Sequence, residues 1–243
     1  VPVLVYLHGG GWCFGSVNSC ADFCVNVVRE AGMAVLAVEY PLAPENPYPD
    51  ALDCCVAAVR HLASQADDFG LDANAISVGG DSAGGNLALA TALRLLDAER
   101  PDSAGPMVRL KSLVLFYPVV KVWNDGSRSW NTYGVGYGLD GGIMEAFNEA
   151  YAGEYDVRDP MISPLCASEE LLGQLPPVLI VNAEKDILCD QGDEMSRRLS
   201  ESGVDCRRVV IPGSVHLFIT VAGQPTAFRK AVESAVAFLR QEP

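Results

Sequence analysis

Apolar and polar positions along this chain follow two alternating periods. Short runs rich in β-branched residues occur at Val3–Leu7, Ala34–Val38, Ala75–Val78, Leu113–Pro118, Val178–Val181 and Arg208–Ile211, with the length and composition of strands. Between most of them, Ala21–Ala31, Ala51–Gln65, Gly85–Leu96, Asp190–Glu201 and Ala227–Arg240 place apolar residues three and four positions apart, the mark of a helix with one buried face. Asp50 and Asp190 stand where N-caps are expected, and Gly203 stands where the fourth helix should stop. Strands alternating with helices predict an α/β fold whose mostly parallel sheet is covered on both faces.

The alternation breaks from Val119 to Pro160. Seven aromatic residues and seven of the 23 glycines fall between Trp123 and Tyr155, around one weak helical pattern near Gly142–Ala152. Two expectations stand for this stretch: a surface loop with an aromatic mini-core of its own, or a lid-like insert, about residues 120–160, over a site. No internal repeat or low-complexity segment is present.

Composition narrows the class. With 243 residues, 49% of them hydrophobic, the chain is expected to form a single domain, 1–243, around one sizeable core. Its 31 acidic against 17 basic residues give a formal charge of −14, which argues against nucleic acid or an anionic membrane as partner. No apolar run is long enough to span a bilayer. Eight cysteines invite a disulfide framework, but Cys54 and Cys55 are adjacent, Cys20 and Cys24 lie one helical turn apart, and no Cys-x-x-Cys occurs. Free, mostly buried thiols in a reducing, cytoplasmic setting are the expectation, and with three histidines no zinc spacing emerges.

Gly80-Asp81-Ser82-Ala83-Gly84 is a Gly-x-Ser-x-Gly between a strand and a helix. A tight strand-to-helix turn strains the serine backbone, tolerates only small neighbours and lifts the hydroxyl clear of the sheet, while the helix N-terminus favours developing negative charge. The same letters also suit an ordinary turn, so the assignment depends on the rest of a catalytic set. "HGGGW", His8 to Trp12, follows the first strand; its successive glycines allow backbone N–H groups to turn inward, which makes Gly10 and Gly11, with Ala83, candidate oxyanion donors. A phosphate-cradling loop is the other use of such glycines, but neither Gly-x-Gly-x-x-Gly nor a Gly-Lys-Ser/Thr ending is present. Of the histidines, His61 lies in a helical pattern and His8 in the glycine loop. His216, just after the last strand, is the candidate base, because loops at the C-terminal ends of parallel strands build α/β sites. After the fifth strand come Glu184, Asp186 and Asp190; Asp190 suits a helix cap, and Asp186, further out in its loop than Glu184, is preferred as the acid that orients the imidazole. The chain order Ser82, Asp186, His216 is that of α/β-hydrolases.

The segments "HGGGW", "GDSAGG", "EYPLAPENPYPDAL", "EKDIL" and "VHLF", spread over residues 8 to 218, resemble the hormone-sensitive-lipase family of α/β-hydrolase carboxylesterases. The resemblance implies a Ser82–Asp186–His216 triad, an oxyanion hole from Gly10, Gly11 and Ala83, and no metal or cofactor. It implies a small-molecule ester as substrate, hydrolysed through an acyl-enzyme, with short acyl groups the expectation. Trp12, Tyr40 and the aromatic insert are expected to shape the substrate pocket. The departures are Pro41 where arginine is usual, Ile187 where the acid is followed by proline, and Leu217 where glycine commonly follows the histidine. The family fold has two further N-terminal strands and cap helices, and this chain opens inside a strand, "VPVLVYLHGG"; a longer native chain with a more complete cap is therefore expected, and Ala34–Val38 becomes an apolar edge. Homodimerisation is the oligomeric state anticipated. Two alternatives stay open: an amidase or peptidase using the same triad, and a non-catalytic ligand receptor on the same scaffold, against which the presence of His216 argues.

Overall fold

The structure, a computed structural model, describes residues 1–97 and 108–241. In chain order the elements are β1 (Val3–Leu7), α1 (Ala21–Ala31), β2 (Ala34–Val38), α2 (Asp50–Ser64), β3 (Ile76–Asp81) and α3 (Ala83–Leu96). They continue with β4 (Ser112–Phe116), α4 (Arg128–Tyr133), α5 (Gly141–Ala152), α6 (Glu169–Leu172), β5 (Val178–Lys185), α7 (Cys189–Glu201), β6 (Cys206–Val215) and α8 (Pro225–Leu239). The six strands form one sheet in the order β2-β1-β3-β4-β5-β6, parallel at every pairing. This is the α/β-hydrolase architecture the sequence pointed to.

Both faces of the sheet are covered, which is why its strands read as continuous apolar runs rather than alternating ones. Val3, Val5 and Leu7 of β1 point into a core shared with α2, α3 and α7. Leu4 and Tyr6 point the other way, into a second core with Phe23 and Val27 of α1 and Ala231, Val232 and Ala235 of α8. β2 pairs with β1 and forms one edge of the sheet, half-exposed over Ala34–Ala37.

The differences from expectation have local causes. β3 runs to Asp81, beyond Val78, because Gly79 and Gly80 act as strand glycines: a Cβ on Gly79 would stand 2.8 Å from the Val114 carbonyl oxygen, and one on Gly80 would run into the Gly84 backbone. β5 and β6 likewise run on, to Lys185 and Val215, and so deliver the chain directly to Asp186 and His216. Asp50 is the first residue of α2, with Pro49 in the N-cap place. Asp190 lies inside the first turn of α7, and its Oδ2 accepts from the amide of Ser129 at 2.8 Å instead of capping its own helix. Gly203, with φ 87°, does follow α7 as a stop. All eight cysteines are free, but only Cys20 and Cys55 are buried; the other six are half-buried, and Cys24, Cys54 and Cys206 among them pack against the edges of the two cores.

The 120–160 stretch has no separate mini-core. Val120, Val122, Trp130, Met144, Tyr151 and Ile162 are buried in the same core as α2 and α3, around two helices of which α4 was not anticipated. Asn86 of α3 donates from Nδ2 to the carbonyls of Val119, at 3.0 Å, and Ile162, at 2.9 Å, so one buried amide holds both ends of the stretch.

Candidate active site

Three strand ends meet at the C-terminal edge of the sheet. β3 ends at Asp81 and α3 starts at Ala83, so Ser82 makes the whole connection, with φ 55° and ψ −117°. A side-chain-bearing residue adopts such a backbone only when its surroundings impose it. Here they do: the Ser82 amide donates to the Phe116 carbonyl at 2.9 Å, and a Cβ on Gly84 would collide with the Leu7 carbonyl. The turn is thus wedged between β1 and β4.

His216 Nε2 lies 3.0 Å from Ser82 Oγ, and His216 Nδ1 lies 2.6 Å from Asp186 Oδ2. All three side chains are buried, Ser82 keeping 5% exposure. Asp186 Oδ1 accepts from the amide of Leu188 at 3.0 Å, which fixes the carboxylate while its other oxygen faces the imidazole. The Tyr117 ring packs 4.3 Å from the His216 ring, and its hydroxyl accepts from the Ile219 amide at 3.1 Å. Leu217, with φ 69°, takes the left-handed turn that a glycine would take more easily. Such an arrangement can pass a proton from the serine hydroxyl to the imidazole and hold the resulting imidazolium. Glu184, by contrast, is exposed and accepts from the Gly213 amide at 2.7 Å, away from His216. His61 is exposed on α2.

The glycine loop after β1 lies alongside. Gly10 and Gly11 have φ of 128° and 60°, and the Gly10 carbonyl accepts from Cys13 and Phe14 at 3.1 and 2.9 Å. Among the described residues, the amides of Gly10, Gly11 and Ala83 donate to no protein acceptor. His8 is a buried prop of this loop: its Nδ1 lies 2.8 Å from the Gly9 carbonyl and its ring stacks on Tyr40 at 4.3 Å. Burial lowers the His8 pKa, against a smaller raising effect of its bond to the Gly9 carbonyl.

Trp12 and Tyr40 do not face open space. They are 0% and 2% exposed; Trp12 stacks flat on Tyr151 at 4.3 Å, and the Tyr40 hydroxyl donates to the His8 carbonyl at 2.6 Å. Trp12 sits within the glycine loop, and Tyr40 packs on His8 at the start of that loop. The ring beside Gly11 is Phe147 of α5: a Cβ on Gly11 would collide with it. Phe147 also meets the exposed Phe14 edge-on at 5.9 Å, and Gly138 lies against the His216 backbone, so the 120–160 stretch touches both the glycine loop and the histidine loop. A groove of about 520 Å³ opens on the far side of the histidine loop, between Ser19, Asp22 and Thr220; Ser82, Asp186 and His216 do not line it.

Two side chains that pattern reading did not single out complete the frame. Gln224 brackets His216, and Asp81 underlies the glycine loop. A proline at the first position of α8 marks where that helix starts, and hence that Gln224 sits at its N-cap, but nothing local says that it reaches back to His216.

Comparison with known proteins identifies the fold and family. A family model described as alpha/beta hydrolase fold matches residues 4–220. Ethyl acetate hydrolase from Pseudomonas putida is 39% identical over 217 residues, covering 89% of this chain and 65% of that protein. Alpha/beta hydrolase R526 from Acanthamoeba polyphaga mimivirus is 36% identical over 220 residues, covering 90% of this chain and 61% of its own length. The chain thus spans less than two thirds of these relatives. Among solved structures, a thermostable esterase from Pseudomonas putida superposes with a TM-score of 0.90 at 30% identity, over 100% of this chain and 75% of that one. The chain belongs to the alpha/beta hydrolase fold family, in its hormone-sensitive-lipase-like carboxylesterase group.

Proposed function

We propose that this chain carries the catalytic core of a serine carboxylesterase for short-chain acyl esters. Ser82 Oγ attacks the ester carbonyl as its proton passes to His216 Nε2, and Asp186 holds the imidazolium that forms. The carbonyl oxygen, now an anion, is received by the amides of Gly10, Gly11 and Ala83, the last at the N-terminus of α3, where the helix dipole adds to the attraction. His216 returns the proton to the leaving alcohol as the tetrahedral species collapses to an acyl-enzyme. Water, deprotonated by the same imidazole, then releases the acid and restores the serine.

The observation that carries this reading is the unbroken pair of contacts from Asp186 to His216 to Ser82, ending on a serine held at positive φ. Short acyl groups are favoured because Phe147 lies directly beside Gly11 and restricts the space next to it. A relative of this chain is named for ethyl acetate, a small ester. Among the described residues no helix is long and apolar enough to cross a membrane.

The test is hydrolysis of p-nitrophenyl esters from acetate to decanoate, with Ser82→Ala as control. Turnover concentrated at acetate and butyrate and abolished in the control supports the proposal. Turnover that survives in folded Ser82→Ala would sink it, and so would labelling by an alkyl fluorophosphonate at a residue other than Ser82.

A further inference from the structure

Asp81 sits beside the nucleophile in the chain, yet the steps above make no use of its side chain. That carboxyl is fully buried. Its Oδ1 accepts from the Gly9 amide at 3.1 Å and from the Tyr6 hydroxyl at 3.1 Å, and its Oδ2 has no partner among the described residues. Contact with the loop is close: a Cβ on Gly9 would collide with Oδ2 and lie 2.8 Å from the Asp81 carbonyl oxygen. Burying a carboxyl with one oxygen unmatched is costly, and an apolar residue of similar volume would fill the space more cheaply.

We infer that Asp81 is the positioning residue of the oxyanion loop: its Oδ1 fixes the Gly9 amide so that the next two amides, of Gly10 and Gly11, converge above Ser82. This rests on the esterase reading. The loop follows β1 and the nucleophile follows β3, and Gly9 and Asp81 are 72 positions apart in sequence. Because Asp81 and Ser82 share a peptide bond, the tie sets donor against nucleophile across a single residue. Oxyanion donors act only when held to within about half an ångström of the productive geometry, and glycines supply no stiffness of their own. The carboxyl is surrounded by ionisable side chains from several elements: Tyr6 of β1, Tyr40 after β2, Cys20 and Cys24 at the start of α1, Tyr117 after β4 and His216 after β6. Burial lifts its pKa to about 6. Both contacts run into one oxygen, so a neutral amide that keeps an oxygen in that place preserves them.

The experiment compares Asp81→Ala and Asp81→Asn with the parent chain. It measures steady-state hydrolysis of p-nitrophenyl acetate and amide hydrogen exchange across residues 8–12, β3 and α3. For Asp81→Ala the expected result is a kcat lower by about 10²-fold, the scale of losing an oxyanion donor, with KM within about threefold. Exchange at Gly9–Gly11 should then rise at least about tenfold while β3 and α3 stay protected. Asp81→Asn should recover kcat to within about tenfold of the parent and restore loop protection, and this arm stands even where Asp81→Ala fails to fold. The inference is overturned by Asp81→Ala with kcat within about threefold of the parent, or with unchanged loop exchange. It is also overturned by loss of protection spreading evenly through β3 and α3, or by Asp81→Asn as impaired as Asp81→Ala. If the parent hydrolyses no ester, the esterase reading fails by itself, and the exchange data still decide whether Asp81 holds the loop.

Discussion

Gln224 grips the chain on both sides of His216. Its Nε2 donates to the carbonyls of Val215, at 3.2 Å, and His216, at 3.1 Å, while its Oε1 accepts from the Val215 amide at 2.9 Å. The imidazole must keep two short contacts at once, and its backbone follows a strand end and precedes a strained Leu217. Replacing Gln224 by alanine frees that backbone without touching a reacting atom. A kcat lower by roughly 10- to 100-fold is expected, since displacing a catalytic group by about 1 Å costs on the order of 10²-fold. Fluorophosphonate labelling of Ser82 should slow in parallel. Labelling at the parent rate would show that His216 is held without Gln224.

Asn86 stabilises the fold through a different pair of bonds. Its fully buried Nδ2 donates to Val119 and Ile162, and Asn86→Ala strands both carbonyls in the interior. Each unsatisfied buried acceptor costs about 1–3 kcal/mol, so a loss of about 2–5 kcal/mol in urea unfolding is expected. Asn86→Asp should be at least as harmful, because a carboxylate offers those carbonyls no donor. A loss below about 1 kcal/mol in Asn86→Ala would mean that water replaces the amide.

The parts of this molecule that a sequence pattern reveals are those set by near neighbours. β1, β2 and the helices from α1 to α8 with clear apolar stripes fall close to where period and composition place them. Ser82, Asp186 and His216 could be nominated because each follows a strand and because the rival residues were few. Strand ends were misplaced where glycine served the sheet rather than a turn, as at Gly79 and Gly80. The tie from Asp81 to Gly9, the grip of Gln224 and the staple from Asn86 are contacts between distant or unpatterned residues, and no periodicity encodes them. The near-complete burial of Trp12 and Tyr40 is illegible in the sequence for a related reason: proximity to the glycine loop in sequence does not say which side of the loop a ring occupies.

Phe147 lies beside Gly11 and against Phe14, so shortening it enlarges the space next to Gly11, a proposed oxyanion donor. Phe147→Ala is expected to raise kcat/KM for p-nitrophenyl hexanoate relative to acetate by about 10-fold, the scale of accommodating one or two methylenes in an apolar pocket. The ratio of the two substrates is the readout, because it cancels any loss of folded protein. An unchanged ratio would place the acyl chain away from α5. Gly11→Ala is a different lesion: it sets a side chain at φ 60° into the Phe147 ring, and activity should fall for every acyl length.

The ester and amide alternatives separate on the leaving group. A p-nitrophenolate departs with little help, whereas an amine must be protonated first, a step that the proposed mechanism assigns to His216, 3.0 Å from Ser82 Oγ. For a p-nitrophenyl ester and the matched p-nitroanilide, kcat/KM should favour the ester by on the order of 10³ or more, the scale that general-acid assistance commands. A ratio near unity would move the chain to the amidase reading with the same triad.

Asp81 also gives stability a defined pH dependence. Burial raises its folded-state pKa to about 6 from an ordinary 3.8, so the folded chain binds a proton more tightly than the unfolded chain does. The sign follows from linkage. Below pH 3.8 the group is protonated in both states and costs nothing. Between pH 3.8 and 6 the unfolded state ionises first and stability falls as pH rises; above 6 the penalty is constant. Two pKa units correspond to about 3 kcal/mol, an upper figure because neighbouring charges titrate in the same range. Asp81→Asn removes the titration, so its stability relative to the parent should climb from pH 4 to pH 6.5 and then level. Urea unfolding of both proteins at half-unit pH steps reads that difference directly. A difference that stays flat from pH 4 to pH 8 would mean that Asp81 keeps an ordinary carboxyl pKa in the fold, with solvent reaching Oδ2.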